Sequence, residues 1–387
     1  MLGMRIKIII AIFSLLSFIG CKKEEIQIPS STEKGDGKLL SEYFSKLRIA
    51  PLDIVDLRNK NADIKSVFDR KKTAGMIHLR DSVWTNGSGT SSFYESDEMV
   101  VTPGNLSYIY PGSLLKAASI ASDQFETFSG YQTAPISVQL SFPSSLSIGT
   151  ISIPSLSNSR IFLRNALLAP DFSGNTILNY ADYFAAFSKY EEVKYAFGYN
   201  VNQHKLFSST NTNFDSYSSG TYYSTKFMAS YTVENFTYSM SDPTANELID
   251  MTSIPANAFD GISPVYINSV TYGRFGLLVL ESNNNSYEMK SAFQKMVKKI
   301  LKKTTESYTQ EETNLFASCR ITIYLLGSTI GNNVIQLLIN PSPDGVSDFI
   351  AQNVGTFTAS DPGVPIYYTA KYLKDNSPFK TTFRIDH

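Results

Sequence analysis

The stretch from Ser263 to Val297 constrains this chain most. It begins with Val265 to Glu281, a run rich in Val, Ile, Tyr and Leu that predicts a long strand. A polar turn follows at Ser282-Asn283-Asn284-Asn285-Ser286. Apolar residues then recur at Met289, Ala292, Phe293, Met296, Val297, Ile300 and Leu301, which is one face of a helix with a 3.6-residue period. The pattern predicts strand, turn and amphipathic helix. It does not say whether the helix is permanent.

The chain has 387 residues, enough for one large domain or two or three smaller ones. Hydrophobic residues make up 42% and charged residues 18%, so a sizeable core is expected and disorder is not the default. The 23 Tyr and 25 Phe suit half-exposed strands. A net charge of −1 gives no nucleic-acid footprint. Three His and two Cys leave little material for a transition-metal site.

The first twenty residues predict a targeting segment outside the fold. Arg5 and Lys7 form a positive start, and Ile8 to Ile19 is an apolar run too short to span a bilayer. It ends in Phe18-Ile19-Gly20-Cys21, which resembles a bacterial lipoprotein signal with Cys21 as the lipidated residue; Phe18 stands where Leu is usual. Lys22-Lys23-Glu24-Glu25 resembles the surface-export signals of Bacteroidetes lipoproteins. A tether is expected over 21–38, Ser/Pro/Gly-rich in its later part, and the folded core over 39–387. With Cys21 lipidated, Cys319 has no disulfide partner in the chain, and a buried apolar role is expected for it.

Further along, Leu39 to Leu47 predicts a short helix. Met76 to Trp84 and Phe93 to Val101 predict a hairpin with Ile77, Leu79 and Val83 on one face. Ser113 is placed to cap a helix running to about Phe125, and Ile177 to Tyr190 has a helical pattern. Pro135 to Phe142 alternates as a half-buried strand. Phe227 to Met240 predicts another, with a bulge where parity shifts between Val233 and Phe236. Ile321 to Gly327 is apolar on both faces, as a central strand would be. Leu337 to Ile339 suggests a short strand and Asp348 to Gln352 a short helix.

One segment stands apart. Val193, Tyr195, Phe197, Tyr199 and Val201 occupy every second position, with Lys194, Ala196, Gly198 and Asn200 between them. Their span approaches the ~9–11 residues that a tilted transmembrane strand needs. The same alternation also suits an amphipathic strand half-buried in an ordinary sheet.

Catalytic chemistry is not signalled. The chain has no dinucleotide fingerprint, P-loop, zincin motif or nucleophile elbow. Asn86 to Thr90 is turn chemistry, and His78, His204 and His387 do not suggest a triad. Asp53, Asp56 and Asp63 read as helix caps and solvated charges. No enzyme, cofactor or metal is expected.

Seven blocks, in order, resemble the thiol-activated (cholesterol-dependent) cytolysins of the MACPF/CDC superfamily. They are YIYPGSLLKAA from Tyr108, Ala134 to Pro143, Phe227 to Ser239, SPVYINSVTYGRFGLLVLES from Ser263, YEMKSAFQ from Tyr287, ITIYLLGS from Ile321 and PIYYTAKYLKDNS from Pro365. The resemblance implies an elongated α+β fold, with a bent and twisted four-stranded antiparallel sheet flanked by two helical clusters. It implies edge-to-edge assembly into a ring. Both clusters would then become transmembrane β-hairpins.

On that resemblance the first hairpin would carry Val193, Tyr195, Phe197, Tyr199 and Val201, and the second Met289, Phe293, Met296 and Val297. The second keeps a helical pattern and alternates poorly. The segment masking the sheet edge would follow a hinge at Leu326-Gly327, near Gly331; the family has a glycine pair where this chain has Leu326-Gly327. Phe187 aligns with a family aromatic that stacks on the neighbouring subunit. Its partner position falls at Arg320 or Ile321, where a cation–π contact would replace ring stacking.

The chain also departs from the family. Its single Trp is Trp84, and it stops where the toxins continue into a cholesterol-binding sandwich, so the cholesterol-binding residues do not carry over. It is most similar in this respect to short members of the group that act with a longer partner. The expectation is a lipid-anchored pore-forming protein, on the bacterial outer membrane or released, directed against competing bacteria. It would meet membrane lipid and form homo- or hetero-oligomers. The alternative is a non-lytic surface lipoprotein using the same fold for binding or adhesion. Charge substitutions at Tyr195 and Tyr199 would separate the two.

Overall fold

A computed structural model describes residues 42–58, 76–172, 179–187, 190–202, 206, 223–244, 247–254, 259–302, 306–328, 331–354 and 356–386. Cys21, the tether and residues 39–41 lie outside these. The first strands are β1 (Val55–Arg58), β2 (Ile77–Val83), β3 (Thr90–Ser96), β4 (Glu98–Val100) and β5 (Leu114–Leu115). Helix α1 (Ala117–Ala121), β6 (Ile136–Leu140), β7 (Ile148–Ile151), α2 (Leu156–Leu167) and β8 (Asn179–Ala186) come next. Then follow α3 (Lys194–Phe197), β9 (Thr225–Met240), β10 (Val265–Ser282), α4 (Ser286–Lys302) and α5 (Gln310–Phe316). The chain continues through β11 (Cys319–Ser328), β12 (Gly331–Ile339), α6 (Pro343–Val354), β13 (Val364–Tyr372) and β14 (Thr381–Asp386).

Strand β10 is the spine. Its backbone groups need partners along its whole length, and different strands supply them at its two ends. On one side it pairs with β9 from Ser269 to Ser282. On the other it pairs with β13 from Val265 to Gly273, then with β11 from Phe275 to Ser282. The changeover falls at Gly273-Arg274. Strand β9 changes partner too, carrying β8 beside Phe227–Glu234 and β6 beside Tyr238–Met240. The result is an antiparallel sheet β8-β9-β10-β11, with β12 added along β11. Asn235 is the extra residue of a bulge between the Phe236–Tyr272 and Glu234–Gly273 pairs, where the parity shift predicts it.

This sheet is buried on both faces. Leu277, Val279, Tyr324 and Leu326 point into one apolar cluster, and Leu278, Leu280, Ile323 and Leu325 into another. That accounts for the doubly apolar run in β11. A third cluster gathers Val138, Leu140, Leu163, Phe236 and Tyr266 around α2. A separate four-stranded sheet has the order β1-β14-β3-β2.

Several sequence expectations need correction. The segment Ile177–Tyr190 is not a helix where described: Asn179–Ala186 is strand β8, in register with β9 from Glu234 back to Phe227. From Phe184 to Phe187 burial has period two. Phe184 packs on Phe227 and Phe293 (5.2 and 5.7 Å between centroids), while Ala185 enters the opposite cluster. The helix expected from Ser113 is only α1, because Leu114 and Leu115 pair with Tyr266 and Val265 instead. The β2–β3 hairpin forms, but Ile77, Leu79 and Val83 face solvent. Asp56 lies in β1 and not at a helix cap; Asp63 is outside the described residues. Strand β12 and helix α6 are longer than the sequence suggests.

Candidate functional site

Adjacent antiparallel strands are ordinarily joined by about two to five residues. Here β8 reaches β9 through residues 187–224, and β10 reaches β11 through residues 283–318. Such lengths need a reason, and both connections begin as helical structure packed on the sheet.

The first connection starts with a 3-10 turn, Tyr190–Val193, then α3, which ends at Gly198 in the left-handed conformation (φ +74°). Val193, Tyr195, Phe197, Tyr199 and Val201 are all buried. Their alternation therefore does not make a strand here. The tight turns send the five side chains into one cluster, and Ala196 between them is buried as well. Tyr195 meets the edges of Tyr94 and Phe383 at 5.5 and 5.7 Å. Phe197 lies against Phe275 and Tyr324. The Tyr199 hydroxyl accepts a hydrogen bond from Asn105 Nδ2 (3.0 Å). Burial holds the Tyr195 and Tyr199 phenols well above their ordinary range, so they stay neutral. Charges at these two positions would break the fold before they tested membrane insertion.

Beside this cluster runs a buried row of charge. Glu281 on β10 stands opposite Lys226 on β9 and Arg320 on β11. Arg320 is ion-paired with Glu281, the Tyr190 hydroxyl donates to Glu281, and Arg320 Nη2 donates to Tyr190 Oη (3.3 Å). The Arg320 guanidinium also lies 5.2 Å from the centre of the Tyr223 ring. Burial, and then the Glu281 charge, push the Tyr190 phenol far up, which keeps its proton on. Burial lowers the Lys226 ammonium despite Glu281 and Glu192 nearby. The row lies one residue inside the pairs Thr225–Ser282 and Ser282–Cys319, where the sheet ends and the connections begin. Phe187 is buried edge-on to Tyr190 (5.8 Å), and Ile321 is buried too. The structure thus brings both Phe187 and Arg320 against Tyr190, inside one chain.

The second connection is held differently. Met289, Phe293, Met296 and Val297 form a buried stripe on α4, against Leu278, Leu280, Ile321 and Ile323. Helix α5 opens with a capping box between Thr309 and Glu312. Lys295 on α4 bonds Glu312 (2.8 Å), and Lys299 bonds Asp344 of α6 (2.8 Å). Cys319 is buried against this cluster, and burial pushes its thiol up to about 12.

Strand β12 covers the outer edge of β11, from Gly331 opposite Ser328 to Ile339 opposite Arg320. It is lightly held: Val334 to Leu338 are half-buried and Ile339 is 70% exposed, whereas β11 is almost wholly buried. Leu326 is buried. Gly327 has φ +79°, and a Cβ there would come within 2.8 Å of the Gly273 carbonyl oxygen. Arg274, buried to 2%, holds this point: Nε donates to the Gly327 carbonyl (2.9 Å) and Nη2 to Asp361 (2.7 Å). Its guanidinium lies over Phe357 at 4.6 Å.

Sequence reasoning passed over Lys226, Glu281 and Tyr190. The available signal for Lys226 and Glu281 is a charged residue one place in from a strand end, as at Arg320.

The fold defines a class: an antiparallel sheet with two long, helical connections and a covered edge. The family model for thiol-activated cytolysins matches residues 88–383, and the chain belongs to that family. Pneumolysin of Streptococcus pneumoniae is 27% identical over 304 residues, covering 73% of this chain and 60% of pneumolysin. Listeriolysin O of Listeria monocytogenes is 33% identical over 113 residues, or 29% of this chain and 20% of listeriolysin O. The crystal structure of wild-type pneumolysin superposes with a TM-score of 0.67 at 21% identity, covering 91% of this chain and 74% of that one. That of listeriolysin O gives 0.65 at 17%, covering 93% and 74%. The chain therefore spans only part of the length of these relatives, and the solved structures establish the fold.

Proposed function

We propose that this protein is a pore-forming cytolysin whose two helical connections convert to transmembrane β-hairpins after edge-to-edge oligomerisation. The length of the connections carries the proposal. Two membrane-spanning arms of about 9–11 residues each and a turn fit within 187–224 and within 283–318. Each arm would extend a strand already in the sheet. Insertion must follow ring closure, because an open sheet edge in lipid leaves backbone groups unpaired at several kcal/mol each. Until then the edge of β11 needs a cover, which is the role we assign to β12. Helix α6 shares an apolar cluster with α4, so moving β12 and α6 together would uncover the second connection.

On this reading Phe187, Arg320 and Ile321 become subunit contacts only once the first connection leaves the sheet. Lipidation at Cys21 would supply attachment to an outer membrane, and a longer homologue would serve as partner in a mixed ring acting on other bacteria.

The test is a reversible crosslink across the covered edge, using Thr322→Cys with Leu337→Cys, which are cross-strand partners. In dye-filled liposomes, with and without a longer homologue, the oxidised protein should release no dye. Reduction should restore release and oligomers together. Equal leakage from the oxidised and reduced forms would sink the proposal.

A further inference from the structure

A groove lies between α2 and the loop entering β13, with a volume of about 640 Å³. That is the size of an ordinary small-molecule site. Its apolar lining includes Leu106, Leu163, Leu167 and Val364, with the ring of Tyr272 among them. Tyr272 is itself stacked on Phe236 (4.9 Å, 11° between planes). Arg160 and Arg164 stand one helical turn apart on α2 and both line the groove. Among the described residues no acidic side chain lines it; neighbouring Asp361 is taken by Arg274. Neither arginine, nor the Tyr272 hydroxyl, has a hydrogen-bond partner among the described residues. Two more apolar side chains, Leu168 just past the end of α2 at the groove and Ile161 on α2 beside it, are 62% and 54% exposed.

These features select one kind of occupant. A simple anion would pair with the guanidiniums and leave the apolar lining wet. An uncharged lipid would cover the lining and leave the two guanidiniums without an oxyanion to bind. We infer that the groove binds a single-chain amphiphile with an acidic headgroup, its carboxylate or phosphate on Arg160 and Arg164 and its chain over Leu163, Leu167 and Tyr272. The fork of each guanidinium matches either oxyanion, so the shared chemistry is the acidic head on an apolar tail.

Calorimetric titration of the full chain with decanoate, below its micelle concentration, tests this. One saturable site is expected, with decanol, decyltrimethylammonium and inorganic phosphate each binding at least tenfold more weakly. Arg160→Gln and Arg164→Gln should each weaken decanoate binding about tenfold or more. Leu168→Glu, which puts a carboxylate at the rim, should weaken it similarly. All three positions are exposed, so thermal melts should match the parent and confirm folding. Decanol binding as tightly as decanoate, phosphate alone binding as tightly, or the double arginine variant binding unchanged would each overturn the assignment. So would binding confined to anionic phospholipid vesicles, which would mark a membrane-surface contact instead.

Discussion

The two connections occupy equivalent places between neighbouring strands, yet they are secured by opposite means. The second is helical by its own sequence. It has a long amphipathic helix, a capping box and side-chain bridges from Lys295 and Lys299. The first has only short helical turns, Tyr190–Val193 and Lys194–Phe197, among the described residues. It is held by what it touches: aromatic rings from β3, β10, β11 and β14, and the buried charges of Glu281 and Arg320. A segment stabilised by tertiary contacts alone loses its helical state once those contacts are lost, whereas a segment with local helical stability does not. On the proposed function, the first connection should leave the sheet before the second.

The strongest way to break that comparison is Glu281→Gln. It removes the buried carboxylate that Arg320 and Tyr190 share, which should cost about 3–5 kcal/mol. Thermal unfolding should fall accordingly, and limited proteolysis should cut within 190–202 before it cuts within 286–302. Equal protection of both segments would remove the distinction. Phe293→Ala is the matching change in the second connection. Phe293 is fully buried against Phe184 and the sheet, so the loss should be about 3–5 kcal/mol at most. Here the helix of α4 should persist in circular dichroism while its docking weakens.

The sequence displayed this asymmetry only in part. The 3.6-residue stripe from Met289 to Ile300 was legible because α4 buries one face and exposes the other. The alternation from Val193 to Val201 was legible as a pattern but not as a structure. A short turn packed on all sides hides its period, since Ala196 is as buried as its neighbours. Strand β8 carries a helical pattern for a related reason: Tyr180, Tyr183, Phe184 and Phe187 have helical spacing, and only pairing with β9 makes the segment extended. The family blocks exposed the sheet and the edge cover. They did not expose the row Lys226–Glu281–Arg320, because cross-strand register appears only when the strands are placed side by side. The Arg160–Arg164 groove escaped for the same reason, being made by α2 and a loop some two hundred residues later.

A smaller effect is expected at Gly327, near the turn from β11 to β12. Gly327→Ala adds a methyl group in a left-handed conformation, against the Gly273 carbonyl. Strain at such a site costs of order 1–3 kcal/mol. The damage should fall on β12 and not on either helical connection. Hydrogen exchange should therefore speed up from Gly331 to Ile339, while α4 and the 190–202 segment keep their protection. Fast exchange spreading into α4 would instead show that β12 and the second connection behave as one unit.

The mildest test compares the two connections by pH. Burial lowers the Lys226 ammonium below its ordinary 10.5, so the folded protein binds fewer protons there than the unfolded chain. Stability then rises as pH climbs through the folded pKa towards 10.5, and this gain is missing in Lys226→Met. The second connection answers at the acid end. Burial alone would raise the Glu312 carboxyl, but the hydrogen bond from Lys295 and that from the Thr309 backbone bring it below its ordinary 4.5. Its contribution is present above 4.5 and is lost as pH falls through the folded pKa. Glu312→Gln should flatten the acid limb alone, and Lys226→Met the alkaline limb alone. Comparing each variant with its parent cancels the many buried tyrosines, whose raised pKa values act on both proteins alike. If either substitution flattened both limbs, the two connections would be coupled through the sheet, and their different modes of attachment would not give them separate release.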